Sequence, residues 1–190
     1  MSPRVLKITA ATALSAATLL AAGAVLAALN GGGAARIGNW RAVEIAAGYD
    51  RAADTALATL RPEALVRAQR LSRQAIAQNP YDIAAWLRIA SADALRHGRL
   101  GPEGVAALGR SYDLVGVDPY IATWRVGFAL QHWEDLPPEV KAAAREEAMA
   151  AGRPWTHREK MLKVLGGVQN PRARITAALW ASRLQASDKR

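Results

Sequence analysis

The sequence predicts an all-α fold of stacked antiparallel helical hairpins, preceded by one N-terminal transmembrane or signal helix. Three observations lead there. Apolar residues make up 51% of the 190, yet only one Phe and four Tyr are among them, so the hydrophobic material is mostly Ala, Leu and Val. Alanine's helix propensity tilts that mixture toward helices. No run of β-branched or aromatic residues alternates with polar ones as a half-buried strand would, so almost no sheet is expected. Finally, proline-marked segments return along the chain with helical periodicity between them.

At the N-terminus, Arg4 and Lys7 precede Ile8 to Leu29, 22 residues without a charge, and then Asn30 and the triplet Gly31, Gly32, Gly33. A positive start, an apolar stretch and small residues make a secretory signal, with cleavage-compatible sites after Ala27 and Ala35. The stretch also reaches the ~20 residues that cross a bilayer as a helix. Residues 1–30 are therefore read as a signal anchor with its N-terminal flank in the cytoplasm, and secretion after cleavage is the alternative. Residues 31–38 read as a Gly-rich linker, 39–186 as the helical domain and 187–190 as a tail. This topology places the soluble part in the periplasm of a bacterium, on a single-pass inner-membrane anchor formed by residues 8–29.

Within the helical domain, Trp40 to Leu60 reads as a first helix, and Pro62 with Glu63 opens the second with proline in its first turn. The run Asn79, Pro80, Tyr81, Asp82, Ile83, Ala84, Ala85, Trp86 returns as Asp118, Pro119, Tyr120, Ile121, Ala122, Thr123, Trp124, one residue shorter. Between these marks, Ile83, Trp86, Leu87, Ala90 and Ala94 recur at steps of three and four up to the turn from His97 through Gly98 and Gly101 to Pro102. Val105, Leu108, Tyr112 and Val115 then repeat the pattern. Trp124 lies on the next helix, and Pro137, Pro138 and Glu139 open another that runs to about Ala150. Helices over Trp155 to Leu165 and Arg172 to Gln185 complete about eight, in four hairpins.

This organisation resembles the tetratricopeptide (TPR) family. In that family each hairpin carries an aromatic early in its first helix, two small residues in its second, and a proline after it. Ala68, Ala75, Pro80 and Trp86 lie at those spacings. The next unit keeps Ala107 but has Leu114 at the second small position, and Asp93 stands where the family prefers Tyr. The resemblance implies that Trp86 and Trp124 pack in the core and that a concave face binds peptides. The stretch from Arg110 through Asp118, Pro119 and Tyr120 to Trp133 and Pro138 also resembles helical hairpins that accompany bacterial surface polysaccharide assembly and export.

The formal charge of +9 is uneven. Residues 111–150 hold seven acids against three bases, whereas 151–190 hold nine bases against Glu159 and Asp188. A basic end of that kind attracts nucleic acid, anionic lipid or an acidic polymer without choosing among them. The absence of cysteine excludes disulfides and thiolate chemistry. His97, His132 and His157 lack the spacing of a metal site on a helix, and His97, near a helix end, suits a contact with the final carbonyls. Glu134, Asp135 and Glu139 are neighbouring acids beside Pro137 and Pro138, which reads as helix capping. No serine sits in a nucleophile motif and no phosphate loop is present. No catalytic residue, metal or cofactor is expected.

Arg67, Arg70 and Arg73, every three residues along the second helix, form a basic ridge, which Arg88 and Arg96 join if the hairpins stack with a concave face. The expectation is a membrane-tethered scaffold that binds another envelope protein or peptide, as an accessory of envelope polysaccharide synthesis or export. Two other readings stand beside it. One is a cell-wall or glycan-acting enzyme using the acids near Glu134, and the other is a nucleic-acid-binding protein using the basic C-terminal forty residues.

Overall fold

The computed structural model describes residues 18–27, 34–37, 40–44 and 46–186. In chain order these form α1 (residues 18–27), β1 (Ala34–Ile37), β2 (Trp40–Glu44), α2 (Ala46–Ala58), α3 (Pro62–Gln78), α4 (Ile83–His97), α5 (Pro102–Leu114) and α6 (Ala122–Gln131). A 3₁₀ turn (Trp133–Asp135), α7 (Pro138–Gly152), α8 (Trp155–Gly166) and α9 (Pro171–Ala186) complete the chain. The fold is helical, with the expected helix boundaries met to within a few residues from Pro62 onward.

Two expectations change at the start of the helical domain. Trp40–Glu44 is a strand rather than the first turn of a helix, and Ala34–Ile37, expected as linker, is its antiparallel partner. The pairing sets Ile37 against Trp40 and Ala34 against Glu44, with a register shift between Ala35 and Arg36. The two strands flank Gly38 and Asn39 in sequence, a dipeptide that favours two-residue hairpins. That local signal outweighs the helical spacing of Val43 and Ala47, and the helix begins at Ala46. As for the expected membrane span, residues 8–17, 28 and 29 lie outside the described residues. Among the described residues no helix is long and apolar enough to cross a membrane.

The chain divides into two compact units, residues 1–88 and 89–190, with the boundary inside α4. In the first unit α2 packs on α3. Tyr49, Ala53, Leu71, Ala75 and Ala85 form the core, flanked by Ala52 and Ile76. Ala68 and Ala75, the small positions of the second helix, are fully buried. Methyl-sized side chains there let helices approach closely, and each larger neighbour such as Leu71 contributes about 1.5–3 kcal/mol by leaving water.

Arg88 crosses from α4 to α2. Its Nη1 lies 2.6 Å from Asp50 Oδ1, and its Nε and Nη2 donate to Asp54. Asp50 also meets the Asp82 carboxyl. Burial first, and then that neighbouring acid, push the Asp50 carboxyl up to about 6 against the opposing pull of Arg88.

In the second unit α6, α7, α8 and α9 pack each on the next, and α5 packs on α7. Leu108, Val126, Leu130, Ala144, Ala148, Met161, Leu165 and Trp180 fill the interior. Glycine permits the close approach of α7 and α9: a Cβ on Gly152 of α7 would lie 2.8 Å from Leu184 Cδ1 of α9.

Buried polar groups organise this unit. Arg125 on α6 and Glu147 on α7 are both fully buried and ion-paired. Arg125 Nε donates to Glu147 Oε2 at 2.8 Å, Nη1 donates to the Ser111 carbonyl at 2.9 Å, and Nη2 reaches the carbonyls of Val115 and Gly116. Arg125 thereby gives the Ser111 carbonyl a second donor beside the Val115 N–H, and bonds the Val115 and Gly116 carbonyls where the helical ladder of α5 has ended. The guanidinium lies 4.1 Å from the centre of the Tyr112 ring. Burial, and next the nearby Glu147 charge, raise the Tyr112 phenol above its ordinary range.

Asp93, 4% exposed, caps the start of α5 from the preceding helix. Its Oδ2 accepts the backbone N–H groups of Gly101 at 2.7 Å and Gly104 at 3.2 Å. A Cβ on Gly104 would stand 2.6 Å from that oxygen, so the glycine makes the contact possible. His97 Nδ1 lies 3.0 Å from the Asp93 carbonyl, the helix-end contact expected of it, and 3.1 Å from Asp93 Oδ1. Gly98 then takes φ +68°, the left-handed conformation that ends helices and suits glycine.

Candidate functional site

The repeated Asx-Pro segments are Asx turns that lead the chain toward the next helix. Asn79 Oδ1 accepts the N–H of Tyr81, and Asp118 Oδ1 accepts the N–H of Tyr120 at 2.9 Å. Asn170, before Pro171, does the same for Arg172 at 3.0 Å and also for Ala173, opening α9. Asn170 Nδ2 donates to the Gln131 carbonyl at the end of α6, tying α9 to α6.

That tie forms one side of an open cleft in the second unit. It encloses about 560 Å³ and is lined by Gly98, Arg99, Gln131, His132, Glu134, Asp135, Asn170 and Arg172. Glu134 and Asp135 reach it from the 3₁₀ turn, whose Trp133 ring meets Trp180 edge-on at 5.7 Å, with Lys141 Nζ 5.3 Å from the Trp133 ring centre. Two ion pairs cross the cleft wall, Arg99 Nη2 to Asp135 Oδ1 at 3.2 Å and Arg172 Nε to Glu134 Oε1 at 3.1 Å. Asp135 Oδ2 accepts the N–H of Leu100 at 3.0 Å.

Glu134 and Asp135 thus do not cap α7, the role their position beside Pro137 and Pro138 implied. The residue before α7 is Pro137, with no side-chain cap, and only Glu139 lies in its first turn. The two acids turn back instead toward α9 and the loop before α5. A lining of planar polar side chains, with carboxylates and guanidiniums balanced in number, suits a polar ligand that both gives and accepts hydrogen bonds. Most ligand pockets are apolar, and this one is not.

Along the outer face of α6, aromatic rings run toward this cleft. Trp124 and Phe128 stack at 5.0 Å with 14° between planes, and Phe128 meets His132 at 4.7 Å. Burial lowers the His132 pKa despite the opposing pull of Asp135, which favours the neutral ring. Trp124 is 45% exposed, and Tyr120, four residues earlier, is 93% exposed. Trp124 is therefore a surface residue rather than the buried counterpart of Trp86, which is half-buried with its indole N–H on the Pro80 carbonyl. The buried face of α6 is the opposite one, formed by Ala122, Arg125, Val126, Ala129 and Leu130.

Of the predicted basic ridge, Arg67, Arg70 and Arg73 are exposed on α3, opposite its buried Leu65, Ala68, Leu71 and Ala75. Arg88 is held instead in its ion pairs with Asp50 and Asp54, its side chain only 12% exposed. Arg96 is exposed in the last turn of α4. The cleft residues Arg99 and Arg172 had no sequence motif to mark them, and Asn170 shares only the Asx-Pro pattern of the other turns. The α6 face did have one, since Tyr120, Trp124, Phe128 and His132 are spaced by four. Comparison with protein-family models, with curated proteins and with solved structures finds no match to this chain.

Proposed function

We propose that this chain is a membrane-tethered interaction module, TPR-like in its helical hairpins, that binds an acidic segment of another envelope protein through α3. The observation that carries this reading is the arrangement of α3. Its small residues are buried in the hairpin core, while Arg67, Arg70 and Arg73 stand exposed on the other side. A guanidinium offers five donors in a fixed fork that matches carboxylates, so three at helical spacing favour an acidic partner. The N-terminal apolar stretch supplies the tether, with the helical part in the periplasm, as an accessory of envelope polysaccharide synthesis or export.

An exported-type reporter such as alkaline phosphatase, fused after Arg190, tests the topology. Activity in intact cells supports the reading, and a fusion active only as a cytoplasmic reporter removes it. The glycan-acting alternative is the weaker one. Glu134 and Asp135 each already face an arginine, whereas a carboxyl that works as a proton donor is held in apolar surroundings that favour its neutral form.

A further inference from the structure

We propose that the aromatic surface of α6 and its two ends, Tyr120 in the turn before it, Trp124 and Phe128 on it and His132 just after it, binds a chain of uncharged sugar units whose end enters the adjoining cleft. The site lies wholly in the second unit and does not rest on the α3 arginines. Three observations converge on it.

The first is the aromatic run. Trp124 and Phe128, one turn apart on α6, stack on one face, His132 just past the helix end continues the run against Phe128, and Tyr120 projects from the turn before the helix. Phe128 stacks on one face of the Trp124 indole, and the ring is still 45% exposed, which leaves its other face to a ligand. Such faces hold flat apolar surfaces, and the C–H face of a sugar ring is one. A stacked Trp124, braced by Phe128 and Phe128 in turn by His132, is already ordered and loses little freedom on binding.

The second is the lining of the cleft at the His132 end. Hydroxyl groups are donors and acceptors at once, and vicinal hydroxyls match the two oxygens of a carboxylate or the paired N–H groups of a guanidinium. Glu134 and Arg172 present both kinds side by side, each substantially exposed. Gln131 and the neutral ring of His132 add further partners.

The third is charge. Arg99 and Arg172 are matched by Asp135 and Glu134. A nucleic acid strand also stacks on aromatic rings, but its phosphates need an excess of cations that this cleft lacks. An apolar ligand would strand the polar lining without partners.

The test applies detergent-solubilised full-length protein to an array of neutral, N-acetylated and acidic oligosaccharides, with fluorescent oligo(dT) and a proline-rich peptide measured in parallel. Expected is retention by neutral or N-acetylated chains, weakened at least tenfold by Trp124→Ala and by Arg172→Ala. Trp155→Ala, which removes another exposed tryptophan on α8, leaves binding unchanged. Circular dichroism checks that each variant keeps its helices, and the exposed Arg172 provides a second variant if Trp124→Ala unfolds. The proposal is overturned if no sugar is retained, if retention survives both substitutions in folded protein, or if oligo(dT) or the peptide is bound at this face instead. Loss of α3 partner binding leaves this result unaffected, so the two readings fail separately.

Discussion

Arg125 and Glu147 meet with neither side chain exposed to solvent, joined through Nε and Oε2 at 2.8 Å. Taking two charges out of water is costly, and here the cost is offset by a full set of partners, since Arg125 also serves three carbonyls at the end of α5 and Glu147 Oε1 accepts the N–H of Asp118. Glu147→Leu leaves the guanidinium buried without its counter-charge, and a loss of about 3–5 kcal/mol in urea unfolding is expected. The double substitution Arg125→Met with Glu147→Leu costs less than Glu147→Leu alone. Additive losses would show that the two residues do not act as a pair.

Asp93 caps a helix to which it does not belong. Asp93→Ala frees the N–H groups of Gly101 and Gly104 and destabilises by about 0.5–2 kcal/mol. Gly104→Ala forces a methyl group to within 2.6 Å of the same carboxylate and 2.5 Å of Leu100 Cδ1, a clash worth about 1–3 kcal/mol. Thermal unfolding of the two variants checks both values. An unchanged midpoint for Gly104→Ala would mean that the α4–α5 turn is looser than the Asp93 contacts require.

The first unit is expected to lose stability as pH rises through the range of Asp50. Its folded-state pKa, about 6, lies above the ordinary 3.8, so the fold holds this proton more tightly than the unfolded chain. The resulting contribution is fully present below about 3.8 and is lost as pH climbs to about 6. Carbon-13 NMR of the carboxyl groups should show Asp50 titrating near 6, and Asp50→Asn should remove its part of the slope. A midpoint close to the ordinary 3.8 would mean that Arg88 outweighs burial.

Much of the helical layout was legible because its signals are local. Prolines at 62, 102, 138 and 171 each begin a helix, where a missing N–H costs nothing. The Asn79 and Asp118 segments repeat because an Asx side chain before proline satisfies the backbone two residues on. What was not legible depends on partners distant in sequence. Arg125 looks like any surface arginine until Glu147, 22 residues later, is brought against it. Arg88 has the spacing of a ridge residue, but Asp50 and Asp54 on another helix claim its guanidinium. Trp124 takes the position of Trp86 in the repeated segment yet faces outward. Arg125 and Val126 point into the core on one side of α6, and a residue one or two positions earlier falls on the other. The strand pair was signalled by Gly38 and Asn39, which the helical spacing of Val43 and Ala47 obscured.

The binding role of α3 is tested most directly by a photo-crosslinking residue at position 70 in living cells. One envelope protein should become attached, and the adduct should disappear when Arg67→Glu and Arg73→Glu are added but persist with Arg174→Glu on α9. No adduct, or one indifferent to the charge of its neighbours on α3, would contradict the proposed function.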